Sequence, residues 1–244
     1  MLRKIFILFR IARRLAKSDA VEIVSRIHQP PLIIKILLNI FAFSFSKQKD
    51  PFNNKSDEDK LCESIQGMGT TFIKLGQFLA TRPDIIGEKI ANDLEKLQDK
   101  LPAFGTEKAK IIIEKEIGTK SFKNILSLSD PIAAASIAQV HFAKIKIDGQ
   151  EKSLAIKILR PNIHKLVNEE LDALMFLAFL VESIFKSTKR LKLVEVINLL
   201  KEITNVEMDL RFEAAAANEY AENTKNDVGF KVPEIYWNFT GENV

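Results

Sequence analysis

The sequence contains one cysteine and three histidines, and this scarcity excludes two common ways of stabilising a fold. A single cysteine, Cys62, cannot form an intramolecular disulfide, which is typical of a reducing compartment. His28, His141 and His164 do not have the spacing of zinc ligands. With 244 residues, 46% of them hydrophobic, the chain is long enough to bury a core without a disulfide or a structural zinc ion.

The N-terminal region also lacks an apolar run long enough to cross a bilayer. Residues 32–45, which follow Pro30-Pro31, are apolar except for three polar side chains. As a helix this segment would rise about 21 Å, whereas a hydrocarbon core is about 30 Å thick. We therefore expect it to lie at a membrane interface or to pack on the body of the protein. A signal peptide fits poorly, because no small-residue cleavage site follows the interleaved basic residues.

Positive charge is concentrated at the N-terminus. Residues 1–48 contain nine Lys or Arg and two Asp or Glu, whereas the remaining residues contain 27 and 30. A basic end on a mildly acidic body predicts that the N-terminus meets an anionic surface. This distribution does not favour a nucleic acid as the partner of the whole chain.

Residues 1–17 have the pattern of an amphipathic helix. On a helical wheel five basic side chains fall within about 100°, and most apolar side chains lie elsewhere. These five residues are Arg3, Arg10, Arg13, Arg14 and Lys17. The pattern predicts an interfacial helix on anionic lipid. The alternative is a solvated helix that docks onto the body through its apolar side. A polar, turn-rich stretch at 47–59 marks the end of this region.

Residues 63–101 have a helical pattern that is interrupted at Arg82-Pro83-Asp84, where one helix is predicted to end and another to begin. The first of these helices contains Lys74, Gly76 and Gln77 on one face. A glycine inside a helix costs about 1 kcal/mol relative to alanine, and it often permits a close approach of the backbone. The alternative is a tolerated glycine on a solvated helix.

An alanine-rich stretch precedes two predicted β-strands. Apolar and polar residues alternate over 140–147, which predicts the first strand. Asp148-Gly149 is a strong hairpin signal, and 153–159 form a second short strand that carries Lys157. The alanine-rich residues thus occupy a connection where kinases have a phosphate-binding glycine loop, and Lys157 lies in a kinase-like V-A-I-K pattern. The residues of this connection are Ala133, Ala134, Ala135 and Ser136.

Two polar residues of this region are interpreted as structural. No base at a recognisable spacing accompanies Ser136, so a loop hydrogen bond is a better interpretation than a nucleophile. His141 is interpreted as a strand-packing residue and not as a catalyst.

Charged residues near position 210 form a third signal. Asp209 and Glu213 are separated by four residues, so a cation between them, either Lys157 or a nucleotide-bound Mg²⁺, would remove their repulsion. Glu207 and Arg211 have the same separation and form a favourable pair on a helix. The alternative is an exposed helix of ordinary mixed charge.

Four segments together resemble the UbiB family of atypical kinases. They are TFIKLGQFLATRPDIIGEKIANDLEKLQDKLPAF, DPIAAASIAQVHFAKI, LAIKILRPNI and VEMDLRFEAAAANEY. The resemblance extends from about Asp59 to the last residue. It implies ATP or another nucleotide with Mg²⁺ as cofactor, and a role in ubiquinone biosynthesis with lipid-linked ATPase activity.

The resemblance also implies roles for individual residues. Lys74, Gly76 and Gln77 match the K-x-G-Q signature of a helical extension that folds over the nucleotide site. The residues 133–136 match the alanine-rich loop of the family. The remaining matches are Lys157 as the phosphate-pairing lysine, Glu213 as its helix partner, and Glu207 and Asp209 as the E-x-D element. The resemblance therefore implies that Lys157 lies within salt-bridge distance of Glu213 or of the Glu207 and Asp209 pair.

Other kinase motifs do not occur in these 244 residues. Neither the catalytic loop H-x-D-x-x-x-x-N nor D-F-G is present, and the C-terminal membrane-anchoring segments of the family are absent. We therefore expect no catalysis by the chain alone, and a partner in a separately encoded C-terminal half or in other ubiquinone-biosynthesis proteins. The alternative is a non-catalytic module that binds lipid or protein. The expected location is the bacterial cytoplasm, at the inner membrane.

The predicted fold class is α+β and mostly helical. Residues 1–48 form the membrane-facing segment, 49–126 the helical K-x-G-Q extension, and 127–244 an incomplete kinase-like N-lobe. We expect three or four antiparallel strands, with a fourth at 232–239 and the start of a fifth at Val244.

Overall fold

The computed structural model describes residues 2–17 and 56–244. The predictions for Pro30-Pro31, for the apolar segment 32–45 and for most of the linker 47–59 lie outside the described residues. None of the helices in the described ranges combines the length and the apolarity needed to cross a membrane.

The architecture is α+β and mostly helical, as predicted. The first five helices are α1 (Leu2–Lys17), α2 (Asp57–Met68), α3 (Thr70–Ala80), α4 (Pro83–Ile86) and α5 (Glu88–Glu95). They are followed by α6 (Thr106–Phe122), β1 (Ile125–Ala134), β2 (Ala138–Ile147), β3 (Gln150–Leu159), α7 (Ile163–Ile184), α8 (Leu193–Glu207) and α9 (Leu210–Asn223). Two short 3₁₀ helices cover Lys186–Leu191 and Trp237–Phe239.

The described residues form two compact units. One comprises the described residues up to 100 together with 165–201, and the other comprises 101–164 and 202–244. These units are defined by how the backbone packs, which does not test the boundaries predicted at 48 and 126. The division into three segments therefore stays a prediction.

Local sequence signals determine where the helices of the first unit begin. The Ser56 hydroxyl accepts a hydrogen bond from the Asp59 amide at 3.1 Å and so caps α2. Helix α2 therefore starts inside the polar stretch at 47–59 that was predicted to be a boundary. Helix α4 begins at Pro83, as the Arg82-Pro83-Asp84 signal predicted. A core of Leu61, Ile90 and Leu94 joins α2 to α5.

Helix α1 packs on the first unit through Ile7 and Ile11, which are both buried. Arg10 and Arg14 approach the carboxylate of Glu170 at 3.2 and 3.5 Å. The Glu170 side chain is only 2% exposed, so these two arginines supply the countercharge of a buried acid. Two of the five predicted lipid-facing basic residues are thus engaged by the protein itself.

The sheet of the second unit has the order β1-β2-β3, and both pairs are antiparallel. The β2–β3 turn is the predicted Asp148-Gly149 hairpin, with φ values of 51° and 81° that suit a type I′ turn. The β1–β2 register shifts on both sides of Pro131, which has no N–H to donate to the ladder.

The prediction of a strand at 232–239 is wrong. Among the described residues after α9, the only regular structure is the 3₁₀ helix Trp237–Phe239, and Val244 does not begin a strand either. Pro233 lies inside the predicted strand and cannot donate to a ladder, which favours an irregular path. The sheet therefore has three strands.

Candidate functional site

Lys157 and Glu213 form an ion pair, which confirms the prediction made for this lysine. Lys157 lies on β3 opposite Val140, and Glu213 lies in the first turn of α9. The distance between Lys157 Nζ and Glu213 Oε2 is 2.5 Å. The two side chains are 39% and 60% exposed. Because exposed ion pairs contribute only about 0–1 kcal/mol, stability alone does not account for this arrangement.

The alternation of side-chain directions along β3 determines the face from which Lys157 projects. Ile158 is fully buried and packs with Ala109 and Ile113 of helix α6, and the partly buried Ile156 joins the same cluster. Successive side chains of a strand point to opposite faces, so Lys157 projects from the face away from this cluster. The hydrophobic packing of its two neighbours thus leaves the ammonium group accessible.

The prediction that Glu207 and Arg211 form a favourable pair on one helix is wrong. Helix α8 ends at Glu207, and Asp209 caps the next helix by accepting a hydrogen bond from the Arg211 amide at 3.1 Å. The Arg211 guanidinium binds the same aspartate, with its Nε and Nη2 at 2.9 and 2.6 Å from the two carboxylate oxygens. The helical i, i+4 spacing does not apply because the chain breaks between the two helices.

The charges at Asp209 and Glu213 are balanced by two separate cations, Arg211 and Lys157. The predicted arrangement, with one cation between the two acids, is therefore not observed. Hydrogen bonding from the Arg211 side chain holds the pKa of Asp209 below its ordinary value. The Asp209 carboxylate accepts hydrogen bonds from Arg211 at both of its oxygens.

Replacement of Asp209 by asparagine tests this electrostatic contact. Asparagine caps helices about as well as aspartate, so the substitution removes mainly the charge interaction with Arg211. We expect a small decrease in Tm at neutral pH. Because the folded pKa of Asp209 is lowered, its contribution is complete above the unfolded pKa of about 3.9 and is lost as the pH falls through the folded value. Unfolding curves between pH 7 and 2 should thus converge at low pH, and a constant difference would contradict this assignment.

The alanine-rich connection is shorter than predicted. Ala133 and Ala134 are the last residues of β1, where they pair with Val140 and Gln139 of β2. Only residues 135–137 form the loop itself, which is closed by a hydrogen bond from the Ala135 amide to the Ala138 carbonyl at 2.8 Å. Alanine in a strand keeps its ladder hydrogen bonds, so the strand extends into the predicted loop.

Ser136 and His141 are both buried. Burial fits the strand-packing interpretation of His141, and the loop hydrogen bond expected of Ser136 stays a prediction. His141 Nδ1 donates to the Ser129 carbonyl at 2.7 Å, and its Nε2 lies 2.8 Å from the amide nitrogen of Gln139. The Gln139 side chain also binds the backbone N–H and C=O of Phe104, at 2.9 and 3.0 Å. This buried network fixes the segment before α6 against β2.

A second network connects the elements that carry the Lys157–Glu213 pair. The Glu116 carboxylate accepts hydrogen bonds from the backbone and the side-chain amide of Asn243, at 3.1 and 2.9 Å. The Asn243 carbonyl accepts from the Leu159 amide at 2.9 Å, and the Glu242 carbonyl accepts from the Leu210 amide at 3.0 Å. The segment thus connects the end of β3 to the start of α9, which are the elements that carry the ion pair.

Substitution of Gly241 by alanine is expected to disrupt this second network. A Cβ atom at this position would lie 2.5 Å from Cγ of Glu116, which is held by Asn243. We expect a destabilisation of about 1–3 kcal/mol, the usual cost of overpacking. The matched control is Gly67→Ala, where a Cβ meets nothing within 4 Å and helix propensity predicts a gain of up to about 1 kcal/mol. Urea unfolding of both variants measures the change in the free energy of unfolding, which should decrease in the Gly241 variant and not in the Gly67 variant. Equal changes in both variants would contradict the prediction.

Lys74, Gly76 and Gln77 all lie on helix α3 of the first unit. Gly76 is buried, and a Cβ there would lie 2.6 Å from Cδ2 of Leu97. The glycine therefore permits a close approach between the helix and Leu97, whereas the alternative of a tolerated glycine on a solvated helix does not fit its burial. Lys74 Nζ lies 3.8 Å from Asp99. The predicted position of this helix over the nucleotide site stays a prediction.

A strand lysine paired with a helix glutamate, in a small antiparallel sheet with a loop between its first two strands, defines a kinase-like small lobe. Residues 96–244, more than half of the chain, match the family model described as the ABC1 atypical kinase-like domain. The chain therefore belongs to the family of the ABC1 atypical kinase-like domain, in which its relatives carry the name UbiB.

Three bacterial relatives illustrate the similarity, and each is named "Probable protein kinase UbiB". The Marinobacter nauticus protein is 36% identical over 187 residues, which are 76% of this chain and 34% of that protein. The Pseudomonas aeruginosa protein is 37% identical over 177 residues, 72% and 33% of the two chains. The Histophilus somni protein is 38% identical over 199 residues, 80% and 36%. The chain thus spans about a third of the length of the curated relatives that it matches.

Proposed function

We propose that this chain binds ATP, or another nucleotide, as part of a UbiB-type atypical kinase or ATPase. The observation that carries the proposal is the ion pair between Lys157 and Glu213. The ammonium group is accessible and is held in place by a carboxylate, as required for a lysine that contacts nucleotide phosphates.

Magnesium fits this proposal as a companion of the nucleotide. Within the described ranges, no group of three His, Cys, Asp or Glu side chains could hold a metal ion. Asp209 is engaged by Arg211. The metal would therefore arrive bound to the nucleotide phosphates, where it neutralises their charge. Turnover would need the H-x-D and D-F-G groups from outside residues 1–244, in this polypeptide or in another.

The biological role that we propose is support of ubiquinone biosynthesis at the cytoplasmic face of the bacterial inner membrane. The proposed partners are a C-terminal half that contains the catalytic loop, or other ubiquinone-biosynthesis proteins. The membership of the chain in the UbiB-containing family supports this role. Measurement of quinone content in cells that lack this chain, and in cells that express the Lys157→Met variant, tests it. Normal quinone levels in both would contradict it.

Calorimetric titration tests nucleotide binding directly. We expect saturable binding of ATP with Mg²⁺, and weaker binding of adenosine, because most of the proposed contacts are to phosphate. No heat of binding at millimolar ATP would contradict the proposed function of these residues.

A second candidate function is favoured by helix α1. Ile5, Phe6 and Phe9 are 46%, 69% and 49% exposed, although Ile7 and Ile11 of the same helix are buried. An exposed face of large apolar side chains on a basic helix is suited to an anionic lipid surface. In this alternative the chain is a lipid-binding module without catalysis. Sedimentation with phosphatidylglycerol vesicles tests it: Phe6→Ser should weaken binding, and Lys157→Met should leave it unchanged.

A further inference from the structure

A cavity of about 310 Å³ lies in the first unit, between helix α4 and the start of helix α8. Its volume is at the lower end of the range of ligand pockets, so it has room for a small molecule. None of its lining residues contributes to the nucleotide site proposed above. A ligand of this cavity would therefore be additional to the nucleotide.

Three cations and two carboxylates line this cavity. The Arg82 guanidinium binds Asp84 through Nε and Nη2, at 2.8 and 2.7 Å. Lys192 Nζ lies 2.9 Å from the carboxylate of Glu195. The third cation, Arg190, is exposed, and no other residue of the described ranges forms an ion pair with it. The lining thus has one positive charge in excess, at Arg190.

The remainder of the lining is apolar. It includes Val196, which is buried, and Leu199, which is 42% exposed although it lies on the same helix. A ligand with an apolar body would cover Leu199 and remove this surface from water, which is favourable. The cavity therefore suits a molecule that has one negative charge and an apolar body.

The backbone at Lys192 brings the charged and the apolar groups to one cavity. Lys192 has φ 50° and ψ 48°, a left-handed conformation that a residue with a Cβ adopts only at an energetic cost. The chain turns there from the 3₁₀ helix to α8, and Arg190 and Leu199 line the same cavity as a result. Strained backbone of this kind is concentrated at functional sites.

We propose that this cavity binds a small organic carboxylate, with its charged group on Arg190 and its apolar body on Leu199. The planar fork of a guanidinium group matches the two oxygens of a carboxylate. Arg190 compensates one negative charge, whereas Asp84 and Glu195 repel a second. Hydrogen bonding from Arg82 lowers the pKa of Asp84, so this group is charged at neutral pH. The lining therefore favours a monoanion over a phosphate dianion.

Hexanoate is the probe, because it combines a carboxylate with an unbranched apolar chain. In an NMR titration of the wild-type chain, we expect the signals of the Val196 amide and the Arg190 Nε–H to shift. The shifts should saturate with a Kd of about 1 mM, which is typical of a ligand of this size. The absence of saturation at about 10 mM would overturn the proposal.

Two analogues separate the contributions of the charge and of the apolar body. Hexanol has the chain without the charge, and acetate has the charge without the chain. Each should bind at least about tenfold more weakly than hexanoate. Equal binding of hexanol would overturn the role of Arg190, and equal binding of acetate would overturn the role of Leu199.

Arg190→Met removes the unpaired guanidinium group and keeps an unbranched side chain. We expect the affinity for hexanoate to fall at least about tenfold, and the affinity for hexanol to change less than about twofold. Lys189→Met is the matched control, since Lys189 is an exposed cation of the same 3₁₀ helix and does not line the cavity. Equal weakening of hexanoate binding in both variants would overturn the assignment to Arg190.

Competition with sulfate separates a carboxylate site from a general anion site. Sulfate is a dianion without an apolar body. At constant ionic strength and at a concentration equal to that of hexanoate, we expect it to leave hexanoate bound. Displacement of hexanoate by sulfate would overturn the proposed preference for a monoanion.

Discussion

Replacement of Arg10 and Arg14 together by methionine is expected to cause one of the largest losses of stability in the first unit. The two substitutions remove the countercharge of Glu170, whose side chain is 2% exposed. An uncompensated buried charge costs about 3–5 kcal/mol, unless the structure opens to hydrate it. Detachment of α1 would expose Glu170 to water. The loss of stability therefore cannot exceed the free energy with which α1 is bound to the rest of the unit. Urea unfolding, together with limited proteolysis of residues 2–17, measures both outcomes.

The same geometry predicts a rescue. Addition of Glu170→Met to the double variant removes the buried charge and should restore much of the stability, because apolar replacement of a buried ion pair is often neutral. The single substitution Arg13→Met, on an exposed part of the same helix, is the matched control and should have little effect. A triple variant that is less stable than the double variant would contradict this assignment of the Arg10, Arg14 and Glu170 cluster.

Replacement of Lys157 by methionine is expected to have the largest effect on nucleotide binding and little effect on folding. Methionine has a similar length and no charge, and the ion pair with Glu213 is largely exposed. The loss of a charge-assisted contact to phosphate should weaken ATP affinity by about tenfold or more. Thermal unfolding and calorimetric titration of the same sample separate the two effects.

Lys144→Met is the control for this prediction. Lys144 lies on β2 of the same sheet and is paired with Glu151, so the two variants lose the same charge from the same lobe. We expect normal ATP affinity in Lys144→Met. Similar losses in both variants would mean that the general positive charge of the lobe, and not the position of Lys157, determines binding.

Features of the fold that depend on neighbouring residues could be predicted from the sequence. Asp148-Gly149 requires two successive residues with positive φ, and this requirement fixes the hairpin and the register of β2 and β3. Pro83 has no N–H and is therefore suited to the first turn of a helix, where it lies in the structure. The pairing of Lys157 with Glu213 was also predicted, but only because the resemblance to a family supplied the partner.

Features that depend on distant residues could not be predicted in this way. Arg160 contacts carbonyls 25, 58 and 59 positions away, and Arg10 is separated from Glu170 by 160 positions. A backbone carbonyl has no signature in the sequence, so no pattern identifies Arg160 as its partner. The error at Glu207 and Arg211 has a related cause, since the spacing rule applies only within a continuous helix, and the chain breaks at Asp209.

The position of Lys157 at the phosphates of a bound nucleotide is the central claim, and covalent labelling tests it most directly. An ATP derivative with an acyl group on its terminal phosphate transfers that group to a nearby lysine amine, and the nucleotide leaves as its phosphate anion. Mass spectrometry of the labelled chain then identifies the modified lysine. We predict modification of Lys157, suppressed by excess ATP and not by adenosine. Labelling spread over surface lysines such as Lys144, with no protection by ATP, would contradict the account.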